Sequence, residues 1–446
     1  MRRYTGNRRY GSSVRERLTQ VLVGLLAAGL SLGRLLWSDS TRLTENLWAE
    51  DGLFPLCVVK GDFVSCLVDP FAGYFLFVPR VGAGLISLFP MEQWALAANV
   101  LAATIAGVAA MIAVAAVRRS GASWSGSLLT SLLVVLAPIV GLEAINVLGS
   151  AYIPLVFAST LALAFPPEKR AGKVALGVLL GITVLTIPSA VVLLVGVGVL
   201  AFRRVIVGVW AVVYAAILLV GLAIQWLVGR TAETPRPLEL TSQGIDGWFS
   251  TVPSAIVSFW PGLTFGEGTI FGMFDVMPFA LTGLAISAGV LALGIWSAVR
   301  GDAGISVLLL SGLGVGLIPT VTGYANNRYF VLPALLWAAA AILVIDRRWA
   351  VRHRWLMPTL LVASVVLWSP ALPASEFRST TSPPWSAEVE RLRAECAGDP
   401  TRTVQVRFSP DWPRENTQLD PITTADALCF AISPKLGLEL GQGFGS

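Results

Sequence analysis

The chain has 446 residues, of which 55% are hydrophobic and only 13% are charged, and its mean hydropathy is +0.72. A soluble domain of this composition would carry large exposed apolar patches, so a water-soluble globular protein is excluded. The net charge is +5 and the single histidine is His353. Any reaction chemistry would therefore rest on carboxylates, arginines, tyrosines or a bound metal rather than on imidazole.

The apolar segments predict an all-α polytopic membrane protein with about eleven transmembrane helices, since each approaches the length that crosses the hydrocarbon core. A basic segment, residues 1–17, precedes the first of them, and no small-residue cleavage site follows it. We therefore expect this helix to be retained rather than removed as a signal peptide. The predicted spans are 18–37, 93–117, 124–142, 150–165, 173–187, 188–202, 205–227, 277–298, 304–320, 328–345 and 355–370.

Lysines and arginines cluster at alternate ends of these helices, a bias that is typical of cytoplasmic loops. The clusters are Arg118-Arg119, Lys169-Arg170-Lys173, Arg203-Arg204, Arg300, and Arg347-Arg348 with Arg352 and Arg354. The bias predicts a multi-pass plasma-membrane protein with a cytoplasmic N-terminus and an extracytoplasmic C-terminus. The outer segments are then 38–92, the turn near Glu143, 228–276 and 371–446.

Two of the outer segments have a predicted internal structure. Residues 76–92 are apolar but interrupted by prolines, so we expect a short helix along the outer interface rather than a span. After the transmembrane core, 18–370, the composition becomes polar, and a charged helical pattern is followed by a strand-like run at 403–408. This pattern predicts a small extracytoplasmic α+β domain, 371–446, which is too short for a large core of its own.

All four cysteines fall in predicted outer segments: Cys57 and Cys66 in the first loop, Cys396 and Cys429 in the tail. An oxidising exterior permits disulfides. Four cysteines allow three pairings, and pairing within each segment is the simplest in chain topology. A zinc site is disfavoured because no histidine lies near either pair.

Two adjacent acids, Glu50 and Asp51, lie in the first outer loop among apolar neighbours such as Trp48 and Phe54, and Glu143 lies in a similar apolar run. A single loop acid usually caps a helix or is solvated. In an apolar setting, a partly desolvated carboxylate gains basicity and suits proton removal from a hydroxyl. Two close carboxylates can instead hold a divalent ion.

The layout of residues 18–370 resembles the GT-C superfamily, membrane glycosyltransferases that use lipid-linked sugars and include protein O-mannosyltransferases and arabinofuranosyltransferases. The residues that carry the resemblance are Glu50-Asp51, Asp69-Pro70-Phe71-Ala72-Gly73-Tyr74, Val78-Pro79-Arg80, Glu143 and Asn327-Arg328-Tyr329. The resemblance implies that a hexosyl or pentosyl group is transferred from a polyprenyl-phosphate donor to an acceptor hydroxyl on the outer face. Asp51 matches the family's first-loop catalytic acid, and Glu50 and Glu143 match its neighbouring acids.

The departing phosphate needs cationic donors, and Arg80 and Arg328 are the best placed, because arginine can pair with phosphate through two hydrogen bonds. Either could instead anchor a helix end. Asn327, Tyr329 and Tyr74 are further candidates for binding the donor. The expected partners are the bilayer, the lipid-linked donor and a glycan, lipid or protein acceptor, and no nucleic acid.

Two other functions share some of these features. A transporter or lipid-sugar flippase would need charged or broken helices near the bilayer midplane and an inverted repeat, and neither is evident in the sequence. Pro188 interrupts a long apolar region, but it fits a hairpin between two short spans about as well as a half-helix binding site. A glycan polymerase or ligase would use the same acids and arginines.

Overall fold

The computed structural model describes residues 14–38, 41–71, 73–137, 140, 146–231, 289, 292, 295–296, 299–322, 328–350, 352–369, 384–408 and 424–437. Glu143, Asn327, most of the predicted span 277–298 and most of the loop 228–276 lie outside these residues. Of Arg328 and Tyr329, the structure describes the backbone only.

Helices make up most of the described chain. The α-helices are α1 (Val14–Ser38), α2 (Arg42–Glu45), α3 (Ala49–Lys60), α4 (Phe63–Val68), α5 (Phe77–Ile86), α6 (Trp94–Arg119), α7 (Trp124–Leu136), α8 (Tyr152–Ala164), α9 (Arg170–Thr186), α10 (Val192–Phe202), α11 (Val209–Arg230), α12 (Ala303–Thr322), α13 (Arg328–Ile345), α14 (Leu356–Trp368), α15 (Trp385–Cys396) and α16 (Cys429–Ile432). Short 3-10 helices cover Met91–Gln93, Leu148–Ser150, Pro188–Val191 and Ser433–Leu436. Strands β1 (Thr403–Arg407) and β2 (Thr424–Leu428) pair antiparallel, with Thr403 opposite Leu428.

Apart from 277–298, every predicted span contains a helix, and the apolar helices fit a membrane protein. Among the described residues, three helical segments are long and apolar enough to cross a membrane: Val14–Trp37, Met91–Arg119 and Val209–Arg230. Others are shorter, such as the 13 residues of α7. The number of spans and their orientation therefore stay predictions. The helix predicted within 76–92 is α5, and its position along the outer interface stays a prediction.

The basic helix ends that the sequence assigns to the cytoplasm meet one another in the structure. At the end of α6, Arg119 Nε donates to the main-chain oxygen of Phe165, 2.8 Å away. Arg347, just after α13, pairs with Asp302 at 2.8 Å, and its guanidinium lies 4.9 Å from the centre of the Phe165 ring. These contacts fix the ends of four helices at one end of the bundle.

The C-terminal residues 384–408 and 424–437, called the C-terminal domain below, pack on the segment that precedes α6 and on the start of α6. Trp385 stacks between Trp94 and Phe408, with ring centroids 6.3 Å and 6.1 Å away, and its indole N–H donates to the oxygen of Met91 at 2.7 Å. Apolar side chains of both segments form one buried cluster. The domain thus obtains the core that its length alone could not supply.

Both disulfides link cysteines of the same segment, which confirms the simplest of the three pairings. Cys57 is bonded to Cys66, joining α3 to α4, and Cys396 is bonded to Cys429, joining α15 to α16. In the part of the chain that the structure describes, no cysteine is free.

Removing the disulfide of the C-terminal domain should cost more stability than removing that of the loop. The cysteines are 33 residues apart in the first case and 9 in the second. A disulfide that closes a longer loop removes more conformational entropy from the unfolded chain. The chain-entropy estimate gives a difference of about 1 kcal/mol in the free energy of unfolding between the two disulfides. Pulse proteolysis in urea of Cys396→Ala/Cys429→Ala against Cys57→Ala/Cys66→Ala measures the difference. Equal losses would contradict an entropic origin of the stabilisation.

Candidate active site

Asp51 lies in the first turn of α3, where the positive end of the helix dipole favours an acidic side chain. The helix begins at Ala49, after Trp48 in an extended conformation, and Glu50 and Asp51 are its second and third residues. The side chain of Asp51 is buried, with 1% of its surface exposed. This position removes it from bulk water.

Two main-chain N–H groups hold the Asp51 carboxylate. The N–H of Leu148 donates to Oδ2 at 2.9 Å, and the N–H of Gly149 donates to Oδ1 at 2.8 Å. Both belong to the first residues of the 3-10 helix Leu148–Ser150, whose N–H groups have no helical partner. The carboxylate is thereby fixed in orientation.

Glu50 shares this environment. It is 7% exposed, and a methyl group added at Gly149 would lie 3.1 Å from Glu50 Cβ and 3.8 Å from Asp51 Oδ1. Glycine at position 149 therefore allows the 3-10 helix to approach both acids closely. On its other side, the same 3-10 helix packs against α5, where Leu148 contacts Gly82.

Arg80, on α5, is buried at 4% exposure and forms an ion pair with Asp69. Its Nη2 donates to Asp69 Oδ2 and to the Asp69 main-chain oxygen, both at 3.0 Å, and the guanidinium lies 4.6 Å from the centre of the Phe54 ring. Burial lowers the pKa of Arg80, and the charge of Asp69 opposes that shift. Its Nε has no hydrogen-bond partner among the described residues.

The segment around Tyr74 is fixed by helix α11. The main chain of Gly73, at φ +82°, lies close to Gly229 of α11. A Cβ atom added at Gly229 would lie only 2.5 Å from the main-chain oxygen of Gly73. Gln225 accepts from the N–H of Phe75 at 2.8 Å and donates to its oxygen at 2.9 Å. Tyr74 is half-buried and packs against the core of the bundle.

A cleft of about 780 Å³ opens beside these groups. Its walls come from α3, α4 and α5, from Thr231 at the end of α11 and from Ala425 of β2. The residues that give it chemical character are Phe54, Lys60, Asp69, Phe71 and Arg80. Asp51 is not in the lining, although it lies one helical turn before Phe54.

The structure therefore brings together some of the predicted site residues and leaves others untested. Glu50 with Asp51 and Arg80 with Asp69 form two clusters joined by α3 and α5. Glu143, Asn327 and the side chains of Arg328 and Tyr329 are not described, so their roles stay predictions.

Three groups at the site were not predicted from the sequence: the amides of residues 148 and 149, Asp69 as the partner of Arg80, and Gln225. A polar glutamine inside the apolar helix α11 was the available signal for Gln225.

The residues that the structure describes contain no group of three or more acidic, histidine or cysteine side chains close enough to share an ion. Glu50 and Asp51 supply two carboxylates, and both oxygens of Asp51 already accept main-chain N–H groups.

No protein-family model matches the sequence, and no curated protein matches it. Among solved structures, the chain is similar to the oligosaccharyltransferase of Archaeoglobus fulgidus in complex with Zn and sulfate, with a TM-score of 0.52 and 14% identity over 85% of this chain. Two further structures from that organism have lower TM-scores. AglB in complex with an inhibitory peptide and a dolichol-phosphate has a TM-score of 0.46 and 12% identity, over 87% of this chain and 59% of that chain. The oligosaccharyltransferase tethered to an acceptor peptide with the NVT sequon has a TM-score of 0.48 and 12% identity, over 88% of this chain and 58% of that chain.

This chain spans 55% of the length of the first of these structures. At such low identity the likeness concerns the fold. Over 85% of its length, the chain shares the fold of this archaeal oligosaccharyltransferase.

Proposed function

We propose that the protein is a membrane glycosyltransferase that transfers a sugar from a polyprenyl-phosphate donor to an acceptor hydroxyl on the outer face. The observation that carries the proposal is the carboxylate of Asp51, held by two main-chain N–H groups in the loop where the GT-C resemblance places the catalytic acid. The shared fold supports the same function.

In the proposed step, Asp51 accepts the proton of the acceptor hydroxyl while that oxygen bonds to the anomeric carbon of the sugar. The bond between that carbon and the phosphate oxygen breaks, and polyprenyl phosphate leaves with the bonding electrons. A general base must come within hydrogen-bond distance of the proton that it removes. Because Asp51 is 1% exposed, acceptor binding has to displace a neighbouring group to reach it.

Arg80 is the proposed partner of the donor phosphate. It lines the cleft, its buried Nε has no hydrogen-bond partner among the described residues, and Asp69, its present partner, has a half-exposed side chain. A phosphate in the cleft would compete with Asp69 for the guanidinium, which can bind it through two parallel hydrogen bonds. The cleft volume lies within the ~300–1,000 Å³ that is usual for small-molecule sites. Arg328 is a second candidate, and the acceptor class, glycan, lipid or protein, is left open.

Asp51→Asn should lower turnover by roughly 10²–10⁴-fold, because the base is lost while the size of the side chain is kept. Donor binding should change little. The measurement is release of polyprenyl phosphate by purified protein in nanodiscs, beside donor titration. The amide can accept from only one of the N–H groups of Leu148 and Gly149, so assays belong well below the melting temperature of the variant.

Glu50→Gln is the matched control for Asp51→Asn, and its effect should be milder if Glu50 positions the acceptor. If both acids hold a metal, the two variants should be equally severe and a chelator should abolish wild-type activity. An Asp51→Asn protein that folds, binds donor and turns over normally would refute the mechanism. A transporter would not separate turnover from donor binding in this way.

Arg80→Lys should weaken donor binding about tenfold while keeping the charge, because the ammonium cannot reproduce the planar fork. Lys60→Ala, which removes another cation from the same cleft, is the control and should have a smaller effect. Asp69→Asn should leave donor binding unchanged or tighter, since it removes the competing carboxylate. If donor affinity falls equally in Lys60→Ala and Arg80→Lys, Arg80 contributes only positive charge to the cleft, and the proposed bidentate binding of phosphate is wrong.

A further inference from the structure

The C-terminal domain touches α3 directly beside the candidate catalytic acids. A methyl group at Gly52 would lie 2.1 Å from Cδ1 and 2.3 Å from Cε1 of the Phe408 ring. No side chain fits between the two, so the ring of Phe408 lies against the backbone of α3 at the residue after Asp51. Phe408 is itself buried, at 3% exposure.

The ring of Phe408 is held in place from its own side. It stacks on Trp385, which in turn stacks on Trp94. The preceding residue, Arg407, donates its N–H at 2.8 Å to Glu388, a buried acid that is paired with Arg391 at 2.6 Å. The end of β1 therefore presents the ring to α3 from a fixed support.

The C-terminal domain also holds the other end of α3. Lys60, the last residue of the helix, donates through Nζ to the main-chain oxygen of Asp426 in β2, 2.5 Å away. The helix has 12 residues, and its Leu53, Phe54 and Leu56, which lie between these two contacts, line the cleft. Both ends of the helix that carries Asp51 thus rest on the C-terminal domain.

We infer that Phe408 is a positioning residue: by packing on Gly52 it holds the first turn of α3 where Asp51 meets the N–H groups of Leu148 and Gly149. The catalytic consequence rests on the proposed function, and the positioning itself does not. Loss of the ring should loosen the contact between α3 and the 3-10 helix Leu148–Ser150. A residue that served only the core of the C-terminal domain would have no such effect.

Hydrogen exchange of the full-length protein in nanodiscs, read on peptides covering 147–151, tests the inference without an assay of activity. In Phe408→Ala, exchange there should be about tenfold faster than in the wild type, since local opening becomes easier. Phe408→Leu, which keeps an apolar side chain, should restore much of the protection. Phe430→Ala is the control, because Phe430 belongs to the same domain but is 54% exposed.

Gly52→Ala approaches the same contact from the α3 side. Its Cβ would collide with the ring, so protection at 147–151 should fall. The double variant Gly52→Ala/Phe408→Ala should recover part of it, because the space left by the ring accepts the new methyl group. If Phe408→Ala unfolds the C-terminal domain, as peptides covering 385–396 would show, Phe408→Leu and Gly52→Ala decide the matter.

The inference fails if Phe408→Ala and Gly52→Ala leave exchange at 147–151 at the level of Phe430→Ala. With an active protein, Phe408→Ala should lower kcat about tenfold or more while KM for the donor changes less than about twofold, because Asp51 is displaced and Arg80 is not. If wild-type protein releases no polyprenyl phosphate and the exchange effect is present, the proposed function falls and the positioning role stands.

Discussion

The structure depends on how the buried main-chain groups of an irregular loop are satisfied beside an apolar bundle. Such groups cost several kcal/mol when they have no partner and no water. Three polar side chains supply partners. Asn99 of α6 donates to the oxygens of two residues in the 43–46 segment, Gln225 of α11 bonds both main-chain groups of Phe75, and Asp51 accepts from the start of the 3-10 helix Leu148–Ser150.

Apolar packing joins the C-terminal domain to the loop. Side chains of both form one buried cluster, in which Trp385 stacks on Trp94 on the far side of the interface. Lys60 and Glu45 add hydrogen bonds to the main chain of the domain. The loop and the domain therefore stabilise each other, and the cleft lies where they meet.

The length of the apolar segments was sufficient to predict most of the long helices, because it depends on local sequence, whereas the short helices α2, α3 and α4 were not predicted. The predicted oxidising environment of the four cysteines was sufficient to predict the disulfides. The partners of Asp51 could not be predicted, since Leu148 and Gly149 are 97 and 98 positions away and offer only main-chain groups. The packing of Phe408 on Gly52 could not be predicted either, because a lone glycine in a helix does not indicate which distant side chain packs on it.

The Asp51 carboxylate has a structural role and a proposed catalytic role, and the two make different demands on it. Its two hydrogen bonds orient the carboxylate, and they also stabilise the loop, so a change at this residue affects folding and chemistry together. Arg80 has a similar double role, pairing with Asp69 while facing the cleft. Because both groups already have partners in the chain, the proposed reaction requires substrate binding to replace those contacts with others. In that proposal, the residues that hold α3 and α5 in place matter to turnover as much as the two groups themselves.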